Sequence, residues 1–185
     1  MERTLANGLR VIVVQSTSLP LVSANLTVAA GAAVDPPGKA GLADMTASLL
    51  TKGAGKRSAT QVAQDIEGLG AEINAGASWD GSTVSVSVAS GKTAPALAIL
   101  ADAVRRPAFA PDELERLRRR TLDSLKVSLQ QPGNLARYVA AESVFAGGPY
   151  GHVADGAPGS IAAMRQEDIA ALHRAGTGPT TPCWC

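Results

Sequence analysis

Two histidines and two cysteines are all that this 185-residue chain offers as imidazole and thiolate groups, for zinc ligation or for nucleophilic chemistry. His152 lies in a Gly-Pro-Tyr-Gly-His stretch, His173 in a late helical stretch, and Cys183 and Cys185 in the last three residues. A zinc site needs three or four such donors at short spacings, so the isolated histidines read as ordinary polar residues. No Gly-x-Ser-x-Gly elbow is present, and a cysteine nucleophile would have to come from the end of the chain. Gly53-Ala54-Gly55-Lys56 sketches a phosphate loop, but that motif wants glycine where Leu50 stands and Ser or Thr where Arg57 stands. A basic turn between helices accounts for it better. Arg116, Arg118, Arg119 and Arg120 follow Glu113 and Glu115 at spacings that allow helical ion pairs, which describes a solvated helix face rather than an anion site. Asp44 and Asp123 could be weighed as ligands of a hard ion such as magnesium; polar helix surface explains both more simply. Residue chemistry alone yields no catalytic constellation.

Composition narrows the remaining classes. Apolar residues are 45% of the chain and charged residues 18%, the balance of a folded domain, and the length fits one domain with a substantial core. A net charge of +1 and only 3% aromatics argue against a nucleic-acid partner, which would need a basic surface or stacking platforms. No apolar run approaches the roughly 20 residues that span a bilayer. Strand-like sequence begins almost directly after Met1, so the start does not read as a signal peptide. The compartment stays open: cytoplasmic for the chain as given, periplasmic if its natural N-terminus lies further upstream. The two terminal cysteines define no disulfide framework.

The elements that would carry these residues follow from periodicity. Leu9–Gln15 and Leu21–Ala29 read as strands separated by a Ser/Thr/Pro turn and are expected to form a hairpin. From Leu42 the period changes to helical, with Leu42, Met45, Leu49 and Leu50 on one face and Gly53 as a stop. Ser58 or Thr60 caps a second helix, whose Val62, Ala63, Ile66 and Leu69 are expected inward and which ends at Gly68-Leu69-Gly70. Strands follow at Glu72–Ala77 and Ser82–Ala89; in the second, Val84, Val86 and Val88 alternate with Ser85 and Ser87, as in a sheet with one buried face. Helices are expected at Thr93–Arg105, Pro111–Gln130, Asn134–Phe145 and Glu167–Arg174, with Pro111, Asp112 and Glu113 suiting a helix start. Blocks of strands and helices without regular alternation predict an α+β domain, a largely antiparallel sheet with helices packed on one face.

The order of short motifs resembles the pitrilysin/insulinase-like zinc peptidases, in particular their mitochondrial-processing-peptidase-like branch. The matching pieces are Thr4-Leu5-Ala6-Asn7-Gly8-Leu9-Arg10-Val11, Ala30-Gly31-Ala32 with Asp35-Pro36-Pro37, Gly41-Leu42-Ala43 and Lys52-Gly53. Ile66-Glu67-Gly68-Leu69-Gly70, Ile73-Asn74-Ala75, Pro107-Ala108-Phe109, Pro149-Tyr150-Gly151-His152 and Glu167-Asp168-Ile169 continue the series. The resemblance runs from about residue 4 to 175 and implies the metallohydrolase fold of that family's first domain.

It also implies where zinc chemistry would be. In such enzymes the helix after Gly-Leu-Ala carries His-x-x-Glu-His: residues i and i+4 share a face and hold the metal, and the Glu activates its water. A Glu from a later helix is the third ligand. Those positions here hold Asp44, Ala47 and Ser48, and the later Glu falls on Ser124 beside Asp123. Alanine has no proton acceptor, serine is a poor zinc ligand, and one aspartate cannot build the site. The resemblance therefore implies a non-catalytic homologue of a metallopeptidase subunit with no zinc of its own. The alternative is an active zinc metalloendopeptidase of the same family. Two-subunit members pair a motif-bearing chain with a homologous chain lacking it, so the implied partner is such a zinc-bearing subunit, with zinc in the partner only. In active chains the Asn-Ala strand pairs with substrate backbone, which makes Asn74 and Ala75 candidate peptide contacts, although plain sheet membership explains them as well.

Residues 1–175 are thus expected to form a peptidase-family N-terminal domain. Residues 176–185 read as an aberrant tail: they hold both cysteines and one of the two tryptophans. Written in GC-rich codons and read two bases later, Ala175–Cys185 gives Gly-His-Trp-Pro-Asp-Asn-Ala-Val-Leu-Val, the x-Pro-x-Asn and apolar strand expected at this place, which points to a frameshift or truncated gene model.

Overall fold

The computed structural model describes residues 1–16 and 18–176. The expected tail therefore lies outside the described residues, except for Gly176. Five strands and seven α-helices are described: β1 (Glu2–Thr4), β2 (Arg10–Ile12), β3 (Leu21–Val28), α1 (Leu42–Leu49), α2 (Ala59–Gly68), β4 (Glu72–Ala77), β5 (Ser82–Ala89), α3 (Thr93–Arg105), α4 (Pro111–Leu129), α5 (Pro132–Phe145), α6 (Pro158–Ala163) and α7 (Gln166–Gly176). The chain is α+β, as its pattern predicts.

The main sheet is antiparallel with order β3-β5-β4. Along β5, Val84, Val86 and Val88 are buried, whereas Ser87 is exposed and shares a hydroxyl hydrogen bond of 3.1 Å with Ser23 on β3. One face of the sheet therefore meets the core and the other meets water, the arrangement that strict alternation encodes. The core places Met45 and Leu49 of α1, Val62 and Ile66 of α2, Ala96, Ile99 and Ala103 of α3, and Leu114, Leu117 and Leu125 of α4 in one cluster with those valines.

Three local expectations are corrected. β2 does not form a hairpin with β3: it pairs antiparallel with β1, Arg3 opposite Val11, and β3 pairs with β5. Ala63 points outward, although Val62 and Ile66 are buried as expected. Arg118 is no solvated helix residue: its side chain is 13% exposed and donates to the carbonyl oxygens of Ile161, Ala162 (2.9 Å) and Met164 (2.7 Å) at the end of α6. A six-residue helix ends there with open carbonyls, and the guanidinium fork satisfies them. The rest of the basic run does face solvent, with Arg116 67% exposed beside Glu113.

Of the two cap candidates for α2, Ser58 is the one used. Ser58 accepts from the Gln61 amide at 3.2 Å while the Gln61 side chain accepts from the Ser58 amide at 2.8 Å, a reciprocal capping box. Pro111 opens α4, with Asp112 and Glu113 in its first turn. α5 is the exception among the longer helices: none of its residues is buried, and Leu135, Val139, Val144 and Phe145 are exposed. It rests on α4 through polar contacts, Asn134 donating to the Ser128 hydroxyl at 3.0 Å and Tyr138 sharing a hydrogen bond of 3.2 Å with the same group.

Candidate functional site

The start of α1 is built by an aspartate that lies outside it. Asp35 follows a single 3₁₀ turn, Ala32–Val34, and its carboxylate accepts from the amides of Gly41 (2.8 Å), Leu42 (3.1 Å) and Ala43 (2.8 Å). Three of the four orphan donors of a helix N-terminus are thus met by one side chain that is 1% exposed. Burial pushes this carboxyl above its ordinary value, against the pull of those three amides and of His152. The loop carrying Asp35 rests on the β4–β5 turn, where Ala32 and Ala33 donate to the carbonyls of Ser78 (2.8 Å) and Trp79 (2.9 Å). Gly31 permits that approach, since a Cβ there would overlap those carbonyls and the Gly81 amide.

On α1 itself, Asp44 and Ser48 are half-buried and Ala47 is buried. Burial raises the Asp44 carboxyl, and Asp155 and Asp35 raise it further; the Ala77 amide and Arg120 oppose them. Asp44 thus looks across to the end of β4 and to α4. Ala47 instead helps line an apolar cavity of about 40 Å³ with Val28, Leu50, Val84 and Leu172. On α4, Thr121 reaches the Met45 sulfur at 3.7 Å, which ties the two helices together. Ser124, one turn further along α4, is exposed, and among the described residues no hydrogen bond or ion pair joins it to Asp44 or Ser48. Asp123 is exposed too and pairs with Lys126 at 3.1 Å.

Asp44 supplies one carboxylate, Ala47 supplies nothing, and two serines supply neutral hydroxyls; no group of three His, Cys, Asp or Glu side chains among the described residues is placed to hold a metal. These residues do not fit a zinc ion.

β4 pairs with β5 alone among the described strands, so its other edge is open. Asn74 lies on it with its side chain turned to Glu72 Oε1 at 2.9 Å, and Ala75 packs against the core. A groove of about 590 Å³ runs from Glu72 and Ile73 past α2 to Glu113, Arg116, Leu117 and Arg120 of α4.

Two residues at this corner escape a reading of the sequence. Asp35 precedes α1 by seven residues, outside any local capping pattern, and only the fold brings it there. His152, read as an ordinary loop residue, has Nε2 buried without a hydrogen-bond partner, 3.8 Å from Asp35 Oδ2.

An antiparallel sheet backed by helices, with a helix after Gly41 facing the end of an edge strand and a long fourth helix, is the framework of this corner. Residues 10–151 match the profile of Insulinase (Peptidase family M16), and the chain belongs to that family. It is 29% identical over 147 residues to an "Uncharacterized zinc protease" of Rickettsia bellii, covering 80% of this chain and 36% of that protein. It is 27% identical over 152 residues to the mitochondrial-processing peptidase subunit alpha of Solanum tuberosum, covering 80% of this chain and 29% of that one. Among solved structures, a peptidase M16 inactive domain from Pseudomonas fluorescens superposes with a TM-score of 0.89 at 31% identity, covering 94% of this chain and 42% of its own. The chain therefore spans well under half the length of these relatives.

Proposed function

We propose that this chain is a non-catalytic homologue of a zinc metallopeptidase subunit that works by associating with a homologous chain bearing an intact His-x-x-Glu-His motif. The observation that carries the reading is the chemistry of one helix face. Where α1 would present two imidazoles and a carboxylate base, it presents Asp44, Ser48 and the methyl of Ala47. A base is needed within hydrogen-bond reach of the water it deprotonates, and alanine cannot be one. The scaffold around that face is intact: core, helix caps and sheet all agree with one another, the sign of a fold under use. The likeness to an inactive M16 domain, and to a protein named as one subunit of a peptidase, supports the same reading.

On this reading the chain needs no metal of its own, and the zinc belongs to the partner. Asn74 and Ala75, on the open edge of β4, are the residues that would contact a peptide held between the two. The test is co-expression with a motif-bearing homologue from the same source, followed by size-exclusion chromatography, zinc analysis and a peptidase assay. Co-elution, with zinc in the partner alone and activity raised by this chain, is the expected result. Separate elution of a homologue that is fully active alone would refute the partnership. One tightly held zinc per chain with peptide cleavage, both lost in Asp44→Ala, would overturn the non-catalytic reading.

A further inference from the structure

Three segments meet where His152 is seated. The first is the loop before α1, whose Asp35 caps that helix. The second is the β4–β5 turn, whose Trp79 ring meets His152 edge-on at 5.3 Å and Tyr150 at 5.4 Å. The third is the segment after α5, Pro149–His152, held further by Tyr150 donating to Asp80 at 2.7 Å and by its ring contact with Phe145 at 6.1 Å.

The polar bookkeeping of this junction is incomplete at one place. An ionised carboxylate offers about four acceptor positions; the amides of Gly41, Leu42 and Ala43 take three of those on Asp35. His152 Nε2 is buried, bonds to nothing, and stands 3.8 Å away, too far for a hydrogen bond and near enough to close by a small movement of the segment. A neutral ring brings no charge, and it offers an N–H there only in its Nε2–H tautomer. A protonated ring carries an N–H and a positive charge, and both suit the fourth position.

We propose that His152 and Asp35 form a proton-operated clasp: protonation of His152 draws the Pro149–His152 segment onto the capped end of α1, and deprotonation releases it. The charged groups around this corner are Asp35 and the Asp168-paired Lys39 on the loop before α1, Asp44 on α1, Asp80 on the β4–β5 turn, Asp155 three residues beyond His152 and Arg120 on α4. Carboxylates outnumber the two cations, and Lys39 is already paired with Asp168, so added positive charge at His152 meets net attraction. The clasp adjoins the Asp44 face of α1 and the end of α5. Its state sets how firmly α5 is tied to the sheet, independently of whether the chain has a peptidase partner.

Trp79 reports on it directly. The chain has two tryptophans, so Trp184→Phe leaves Trp79 alone, beside an imidazole that quenches indole emission when it becomes a cation. Acidifying this variant from about pH 8.5 to about pH 5 spans the range in which a histidine side chain gains its charge. Trp79 emission should fall across that range, and the fall should be absent in the His152→Gln variant of the same protein. Hydrogen exchange, corrected for intrinsic rates, should slow about fivefold for amides 151–153 on the same acidification, and should not slow in His152→Gln or Asp35→Asn. Equal protection at both pH values in the parent chain overturns the clasp. So does slowing that persists in Asp35→Asn. If Asp35→Asn fails to fold, His152→Gln decides alone, because it leaves the α1 amides capped; slowing that persists there overturns the proposal.

Discussion

Replacing Arg118 by alanine should destabilise the domain far more than any other change in the basic run of α4. Two of its three carbonyl partners, those of Ile161 and Met164, are part-buried, and Ile161 and Met164 themselves are 0% and 3% exposed in the core. Losing a hydrogen bond to a charged donor at a part-buried carbonyl costs about 1–1.5 kcal/mol, so the two together come to about 2–3 kcal/mol. The third bond, to the exposed Ala162 carbonyl, is replaced by water and adds little. For a chain of this size each kcal/mol lowers the melting temperature by about 2–4 °C, giving a fall of about 4–12 °C. Arg118→Lys should recover less than half, because one ammonium cannot span three carbonyls as a planar fork does. The neighbouring Arg119, which reaches only the Glu115 carbonyl at 3.4 Å on an exposed face, is the control, and Arg119→Ala should change stability by less than about 0.5 kcal/mol. Urea denaturation followed by circular dichroism measures all three. Equal midpoints for the Arg118 and Arg119 alanine variants would refute the assignment of Arg118 as the cap of α6.

Three further outcomes are expected. Asp44→His, Ala47→Glu, Ser48→His and Ser124→Glu combined should create zinc affinity measurable by calorimetry; a folded quadruple variant that binds none would show that α4 does not bring position 124 to α1. Asp35→Asn should cost about 1–2 kcal/mol because its amide cannot accept from all three helix donors. Because the native Asp35 carboxyl is raised above its unfolded value of 3.8, its contribution is fully present below that pH and declines as pH rises through the folded value, so the cost of the variant should shrink over that interval in acid denaturation curves. A cost that grows there instead would contradict the burial account. Ser58→Ala should lose about 1 kcal/mol by opening the capping box of α2, visible in the same urea titrations, whereas Ser58→Asp should be close to neutral.

How much of this was legible in the sequence depends on how local each cause is. The β5 alternation and the Pro111 helix start depend on residues within one element and are legible in the sequence, and Ser58 is legible as one of two cap candidates. The β2 pairing was misread for a physical reason. Its partner β1 is Glu2-Arg3-Thr4, with no apolar alternation to mark a strand, although Asn7-Gly8 between them is good turn chemistry and Gly8 has a φ of 85°. β3 finds its partner β5 across more than 50 residues of chain, where no local rule applies. The resemblance sets Asp44, Ala47 and Ser48 at the family's motif positions, and the structure carries all three on α1, as the helical period from Leu42 predicts. The roles of Asp35 and Arg118 are not legible, because each serves an element distant in sequence, and α6, opening with Pro158-Gly159, is too short to show a period. The junction of His152 with Asp35 joins positions 117 residues apart and exists only in the folded chain.

The exposed state of α5 has a consequence for how the molecule comes apart. With no buried side chain of its own, and contacts to α4 that run largely through Ser128, this helix lacks the apolar burial that ties the other helices to global unfolding. It belongs to a weakly held cooperative unit, one expected to open while α1, α3 and the main sheet stay closed. A protease present at low concentration should therefore cut first within 132–148, leaving a nicked chain whose core is still folded. The lifetime of the intact polypeptide is then governed by this local opening, and a mutation that stabilises the core would raise the melting temperature without making the chain last longer.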